Sequence, residues 1–187
     1  GEASRAGLPT VFVRLTGCPL RCVWCDTTYS FTGGEPATVA SVLAEVAQYP
    51  VRQVCVTGGE PLAQKRCIGL LSRLCDAGYE VSLETSGAID VSEVDQRVHR
   101  VVDLKTPDSK EQHRNRLENI ALLTPHDQVK FVICSRGDYE WAREMLAEHR
   151  LAERCEVLFS PSYTQVPARE LADGILVLAG GLDPWNV

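Results

Sequence analysis

Six short runs rich in β-branched residues, separated by segments with helical spacing, constrain the fold of this 187-residue chain more than any other feature. The runs are 10–16, 53–57, 79–84, 100–104, 128–134 and 155–159. In the first, Phe12 falls on the opposite face from Val11 and Val13, as in a strand. Between runs, Val39, Val42, Leu43 and Val46 recur at helical spacing within 38–48. The same spacing predicts helices over 62–76 and 139–148, a short helix over 91–96 and a helical turn over 115–122. Strands alternating with helices build βα units and a parallel sheet. Six strands are too few to close an eight-stranded barrel. The expected fold is therefore α/β, a partial (β/α)6-type barrel with parallel strands. The length fits one domain over 1–187. Gly1 stands where an initiator methionine would, so a short preceding segment is expected to be missing.

In a parallel barrel the C-terminal strand ends open on one mouth, and here those ends carry polar motifs. The first strand leads into Cys18, Cys22 and Cys25, spaced Cys-x3-Cys-x2-Cys with Trp24 before the last. The second ends in Thr57-Gly-Gly-Glu-Pro61, the third in Glu84-Thr-Ser-Gly87, the fourth in Asp103-Leu-Lys105, and the sixth runs to Ser160-Pro161. Three thiolates from one loop can hold three irons of a [4Fe–4S] cube. With no fourth cysteine close by, one iron is left open for chemistry. Zinc is the competing occupant, but it wants a fourth ligand. His99, His113, His126 and His149 all lie far downstream in polar or helical segments and read as solvated or core residues. In the second motif, two glycines let the backbone approach a ligand and expose N–H groups, and Pro61 suits a first helical turn. A plain tight turn between strand and helix is the alternative. Cys55, Cys67, Cys75, Cys134 and Cys155 are scattered among apolar or helical segments and read as buried free thiols rather than disulfide partners.

Composition narrows the partners. The net charge is −6 and no lysine or arginine block appears, so electrostatic binding to nucleic acid or anionic membrane is not expected. No apolar run reaches membrane-spanning length and no secretory leader is recognisable. The cysteine usage fits a reducing cytoplasm.

The cysteine pattern with its aromatic residue, followed after the next strand by Gly-Gly-Glu-Pro, resembles the radical S-adenosylmethionine (SAM) superfamily. The resemblance implies that SAM chelates the open iron. An electron from the cluster then cleaves SAM to a 5′-deoxyadenosyl radical, which abstracts hydrogen from a substrate. It further implies that the Gly-Gly-Glu-Pro backbone helps bind the SAM amino group. Finer details are similar to the 7-carboxy-7-deazaguanine synthase family over residue 1 to about residue 171: Gly1-Glu2, Gly7 through Arg14 to Cys18, Cys25-Asp-Thr27 and Asp103-Leu-Lys-Thr-Pro. That family converts 6-carboxy-5,6,7,8-tetrahydropterin into 7-carboxy-7-deazaguanine with loss of ammonia, on the route to queuosine and other deazapurines. The reaction starts at the pterin C6, regenerates SAM and depends on Mg²⁺.

Carried over residue by residue, Cys18, Cys22 and Cys25 hold the cluster and Thr27 is a magnesium ligand. Gly1, Glu2, Arg14 and Thr57 contact substrate, Arg14 through the pterin carboxylate. Gly58, Gly59, Glu60, Glu84, Ser86, Asp103, Leu104, Lys105, Ser160, Pro161, Ser162 and Tyr163 contact SAM. Blander roles stand beside several of these. Thr27 suits a turn, Glu2 a frayed end, Arg14 a strand-edge charge, and Lys105 an ion pair with Asp103 or Glu84. No residue is assigned as general acid or base. The family also implies a flavodoxin-type reductant and a homodimer. Its closing segment carries a histidine that reaches substrate, whereas residues 173–187 contain none, so an atypical or truncated C-terminus is expected. Two rivals share parts of the pattern. A glycyl-radical-enzyme activase would act on a protein and would not need Arg14 with Thr27. A structural zinc or cluster module would not cleave SAM.

Overall fold

The strands β1 (Thr10–Leu15), β2 (Gln53–Gly58), β3 (Glu80–Thr85), β4 (His99–Asp103), β5 (Gln128–Ile133) and β6 (Glu156–Pro161) lie side by side in chain order in one sheet. Every neighbouring pair is parallel. The computed structural model describes residues 3–178. Among the described residues, four α-helices pack on the sheet: α1 (Val39–Val46), α2 (Cys67–Asp76), α3 (Arg136–Glu148) and α4 (Ala168–Leu178). The open sheet of an incomplete barrel is what the strand count predicts.

Side chains alternate across a strand, and that period sorts apolar from polar. One face gives Val13, Val54, Val56, Val81 and Leu83 to a core closed by Val46, Leu70, Leu71 and Leu74 of α1 and α2. The same face of the second half gives Val102, Val129, Phe131 and Ile133 to a core closed by Tyr139, Ala142 and Met145 of α3 and Leu171 of α4. The other face supplies one polar residue per strand to a common cavity: Arg14, Thr57, Glu84, Asp103, Lys130 and Ser160. Register keeps neighbours level, with Arg14 beside Thr57 and Asp103 beside Lys130. Aliphatic burial against helices holds the sheet, while its opposite face is left for ligand chemistry.

Local signals set the element ends. Thr38 caps α1 in a reciprocal capping box with Ser41, and Ser135 caps α3 by accepting from the Asp138 N–H. That cap starts α3 at Arg136, three residues before the periodicity predicts. Three departures are larger, and one expected element is refined. The helix expected over 91–96 is a run of turns. Asp90 accepts from the Ser92 N–H and Asp95 from the Arg97 N–H, and such local bonds compete with a helical ladder. The expected turn over 115–122 is a 3-10 helix, Leu117–Leu122, fixed by the Asn119 side chain donating to the Gly87 and Ile89 carbonyls. The helix expected from residue 62 is split into a 3-10 turn, Pro61–Ala63, and α2. Helix α4 was not anticipated. Among the described residues, no helix is long and apolar enough to cross a membrane.

Candidate active site

The cysteine loop leaves the C-terminal end of β1 and folds over the cavity mouth. Backbone bonds shape it: Gly17 N–H to the Ser30 carbonyl at 2.8 Å, Cys25 N–H to the Cys22 carbonyl at 3.1 Å, and Val23 N–H to the Ser109 carbonyl at 3.2 Å. The thiols of Cys18, Cys22 and Cys25 are free, half-buried and share one cavity wall. Burial pushes the Cys18 thiol above its ordinary range and the Cys22 thiol up to about 11. Among the described residues, no three Cys, His, Asp or Glu side chains converge on a single-ion position. A mononuclear zinc pocket needs such convergence, whereas a cube takes each thiolate on a separate iron. The donor set therefore fits a [4Fe–4S] cluster. The five remaining cysteines form no disulfide among the described residues; Cys55, Cys67, Cys134 and Cys155 are buried and Cys75 half-buried. Burial pushes Cys67 up to about 12 and both Cys134 and Cys155 up to about 11, which keeps those thiols inert.

The Gly58-Gly59-Glu60 turn lies directly under this loop. Gly58 has φ +148°, and a Cβ there would stand 1.9 Å from the Leu15 carbonyl oxygen. A Cβ on Gly59 would stand 2.4 Å from the Gly17 carbonyl oxygen and 2.8 Å from the Cys18 Cβ. Two glycines are thus needed for the turn to touch the cysteine loop, whatever ligand follows. The expectation that this turn exposes N–H groups is corrected. Gly59 N–H donates to the Leu15 carbonyl at 3.0 Å and Glu60 N–H to the Gly17 carbonyl at 2.8 Å.

The Glu60 side chain has a structural role. Its side chain does not line the cavity and is fully buried. The carboxylate accepts from the Leu62 N–H at 3.0 Å, the Thr85 hydroxyl at 3.0 Å, the Ser86 N–H at 2.7 Å and, in a shorter contact, the Ser86 hydroxyl. The acid ties the end of β2 to the end of β3 and presents no side-chain oxygen to SAM. Glu60→Gln puts an amide N–H₂ among donors, so at least one loses its acceptor. The expected cost is about 1–3 kcal/mol, read as a fall in the urea midpoint of the purified protein at unchanged slope.

The opposite wall carries alternating charge. Lys130 Nζ lies 3.5 Å from Glu84 and 3.9 Å from Asp103, and Lys105 Nζ lies 3.0 Å from the same Asp103 oxygen. Burial pulls the Lys105 ammonium down, while the adjacent Asp103 carboxylate and Cys22 push it up, and the net direction is up. The Lys105 ammonium also sits 4.6 Å from the Trp24 ring centroid, joining β4 to the cysteine loop by a cation–π contact. The ion pair proposed from sequence is therefore present, with Asp103 as partner. Two buried polar atoms in cavity-lining residues, Trp24 Nε1 and Asp103 Oδ1, have no hydrogen-bond partner among the described residues. Buried orphans of this kind are costly unless a ligand or water satisfies them. The Leu104 side chain is buried in the core of the second half and does not line the cavity.

Arg14, Thr27, Thr57, Gly58, Gly59, Glu84, Ser86, Asp103, Lys105 and Ser160 to Tyr163 share the cavity, which measures about 680 Å³. That volume suits small-molecule binding. Arg14 makes no ion pair among the described residues, and its guanidinium lies 5.8 Å from the Tyr29 ring centroid. Thr27 Oγ1 is 3.7 Å from Cys25 Sγ, and Asp26 lines the same wall, placing hard oxygens beside the loop. Gly1, Glu2 and residues 179–187 lie outside the described residues. Lys130 was missed from sequence, although it shares a strand face with Gln128 and Val132 and pairs in register with Asp103. A lysine in the middle of a strand pattern gives no sign of which face it serves until the register is known.

Comparisons with known proteins agree with this geometry. The family model described as Radical SAM superfamily matches residues 12–152. A 7-carboxy-7-deazaguanine synthase of Koribacter versatilis is 46% identical over 166 residues, covering 87% of this chain and 74% of that protein. The protein of the same name from Chlorobaculum tepidum is 41% identical over 179 residues, covering 94% of this chain and 81% of that one. In fold, the chain is similar to Streptococcus suis SuiB bound to S-adenosylmethionine, with a TM-score of 0.67 at 15% identity. That match covers 91% of this chain and 47% of SuiB, so the chain spans about half of SuiB's length.

Proposed function

Because the chain belongs to the radical SAM superfamily and, within it, to the 7-carboxy-7-deazaguanine synthase family, we propose that it converts 6-carboxy-5,6,7,8-tetrahydropterin into 7-carboxy-7-deazaguanine. One observation carries the proposal: three thiols, the double-glycine turn, Arg14 and Thr27 line a single cavity. When bound, the [4Fe–4S] cluster supplies the electron that cleaves SAM to the radical that abstracts hydrogen at the pterin C6.

The chain's own residues bind, orient and shield. Cys18, Cys22 and Cys25 hold the cluster. The close approach of Gly58 and Gly59 to the cysteine loop brings backbone rather than side chains to the SAM amino group. An amino group donates, so the turn serves it through acceptors, its N–H groups at Gly59 and Glu60 being engaged elsewhere. Glu84, Ser86, Asp103, Lys105, Ser160, Pro161, Ser162 and Tyr163 form the SAM side of the cavity. Thr57 and Arg14, level with one another on β2 and β1, form the substrate side. Arg14 offers a planar fork that matches a carboxylate. Thr27, with water and substrate oxygens, offers Mg²⁺ the hard donors it takes. With SAM bound, a cavity that held the pterin C6 close and kept water out would favour reuse of SAM. A flavodoxin-type reductant, a homodimer, a cytoplasmic setting and a single domain over 1–187 complete the proposal.

The test is substrate deuterated at C6. Deuterium recovered in SAM supports abstraction at that carbon, and SAM without label overturns it. Arg14→Lys keeps the charge and loses the fork. It is expected to raise the KM for the pterin by about tenfold, the equivalent of about 1.4 kcal/mol. Uncoupled cleavage of SAM without substrate should be unchanged.

A further inference from the structure

The reaction proposed above uses no atom of Arg21, yet this residue is tied to the cysteine loop more closely than its exposed position suggests. It lies between Cys18 and Cys22, and its side chain turns back along the loop. Nη1 donates to the Cys18 carbonyl at 2.7 Å and to the Leu20 carbonyl at 2.6 Å. The guanidinium lies 4.3 Å from the Phe31 ring centroid, within cation–π range. The Arg21 backbone N–H donates to Glu111 Oε1 at 2.6 Å, and the next residue but one, Val23, donates to the Ser109 carbonyl. One side chain therefore closes the Cys18–Cys22 half of the loop on itself and seats it on Phe31, while the backbone fastens the loop to the segment after β4.

We propose that Arg21 is a positioning residue that shapes the cysteine loop for its cluster and slows the loss of iron. Hydrogen bonds from a charged donor are the stronger kind, and a preorganised loop loses less freedom when the cluster binds. Lysine can reach a carbonyl but lacks the planar face that stacks on Phe31.

The inference rests on the three cysteines being cluster ligands, and the experiment separates the two. Wild-type, R21M, R21K and F31L proteins are reconstituted anaerobically, assayed for iron and sulfide, and challenged with an iron chelator while the cluster absorbance is followed. The expected result is iron release about tenfold faster in R21M, which is about 1.4 kcal/mol, with smaller increases in R21K and F31L. The R21M/F31L double variant should release iron at nearly the R21M rate, because both changes break one contact. Amide exchange over residues 17–25 of the metal-free protein should be faster in R21M, while its Tm stays within about 2 °C of wild type. Equal release rates in R21M and wild type overturn the assignment, as does faster release matched by a general fall in Tm. A wild type that takes up no cluster overturns both this inference and the proposed function.

Discussion

Serine in place of Cys18, Cys22 or Cys25 is expected to abolish SAM cleavage in the reconstituted protein, while circular dichroism and Tm remain near wild type. The three thiols are half-buried at a cavity mouth and belong to neither aliphatic core. Their removal therefore leaves the packing intact. What disappears is one of three protein attachments to a cube, and a hydroxyl is a poor replacement for a soft thiolate. Iron and sulfide content should fall well below the wild-type value, and the visible absorbance of the cluster with it. The same substitution at Cys67 makes the contrast. Cys67 is 1% exposed in the core beneath β1 to β3, so Cys67→Ser should lower stability by about 1–3 kcal/mol and leave the cluster in place.

Gly59→Ala is the second large effect. The added methyl carbon would meet a backbone oxygen at 2.4 Å and the Cβ of Cys18 at 2.8 Å. Neither can swing aside as a long side chain could, so the cysteine loop itself has to move. A displacement of about 1 Å at a site that depends on alignment costs on the order of 10²-fold in rate. The expected outcome is a folded protein with partial cluster content and a fall of that size in product formation. Rapid-quench measurement of 5′-deoxyadenosine with and without substrate checks it. Gly69 provides the control: nothing beyond the backbone of its own helix lies within 4 Å of a Cβ there. Gly69→Ala, within α2, should leave activity unchanged and raise stability by about 0.5–1 kcal/mol.

The parts of the fold that were legible in the sequence are those written as repeats. Val54, Val56, Val81, Leu83, Val129 and Phe131 announce strands because one face of each must be buried, and the polar motifs after the strands follow from the parallel topology. The cysteine loop was legible because its chemistry needs three thiols at fixed spacing. The structural role of the Glu60 side chain is not legible in its motif, because three of its four hydrogen-bond donors come from Thr85 and Ser86 at the end of another strand. The place of the Leu104 side chain follows a similar logic: it sits between the cavity residues Asp103 and Lys105, but the two-residue period points it into the core. Residues 91–96 carry apolar spacing that suits a helix, and Val91 and Val94 are indeed buried. Asx bonds from Asp90 and Asp95 win locally. Helix α4 starts after Pro167, which suits a helix start, and contains Gly174, which lowers its intrinsic propensity. It is held by Leu171 against the core of the second half and by the Tyr139 hydroxyl donating to the Gly174 carbonyl.

The most direct test of the central claim is product formation. The protein is reconstituted with iron and sulfide without oxygen and incubated with reductant, SAM, Mg²⁺ and 6-carboxy-5,6,7,8-tetrahydropterin. Mass spectrometry then follows the pterin, SAM and 5′-deoxyadenosine. The expected result is 7-carboxy-7-deazaguanine in many-fold excess over SAM consumed. A protein that binds a cluster and cleaves SAM to 5′-deoxyadenosine yet leaves the pterin intact would contradict the substrate assignment.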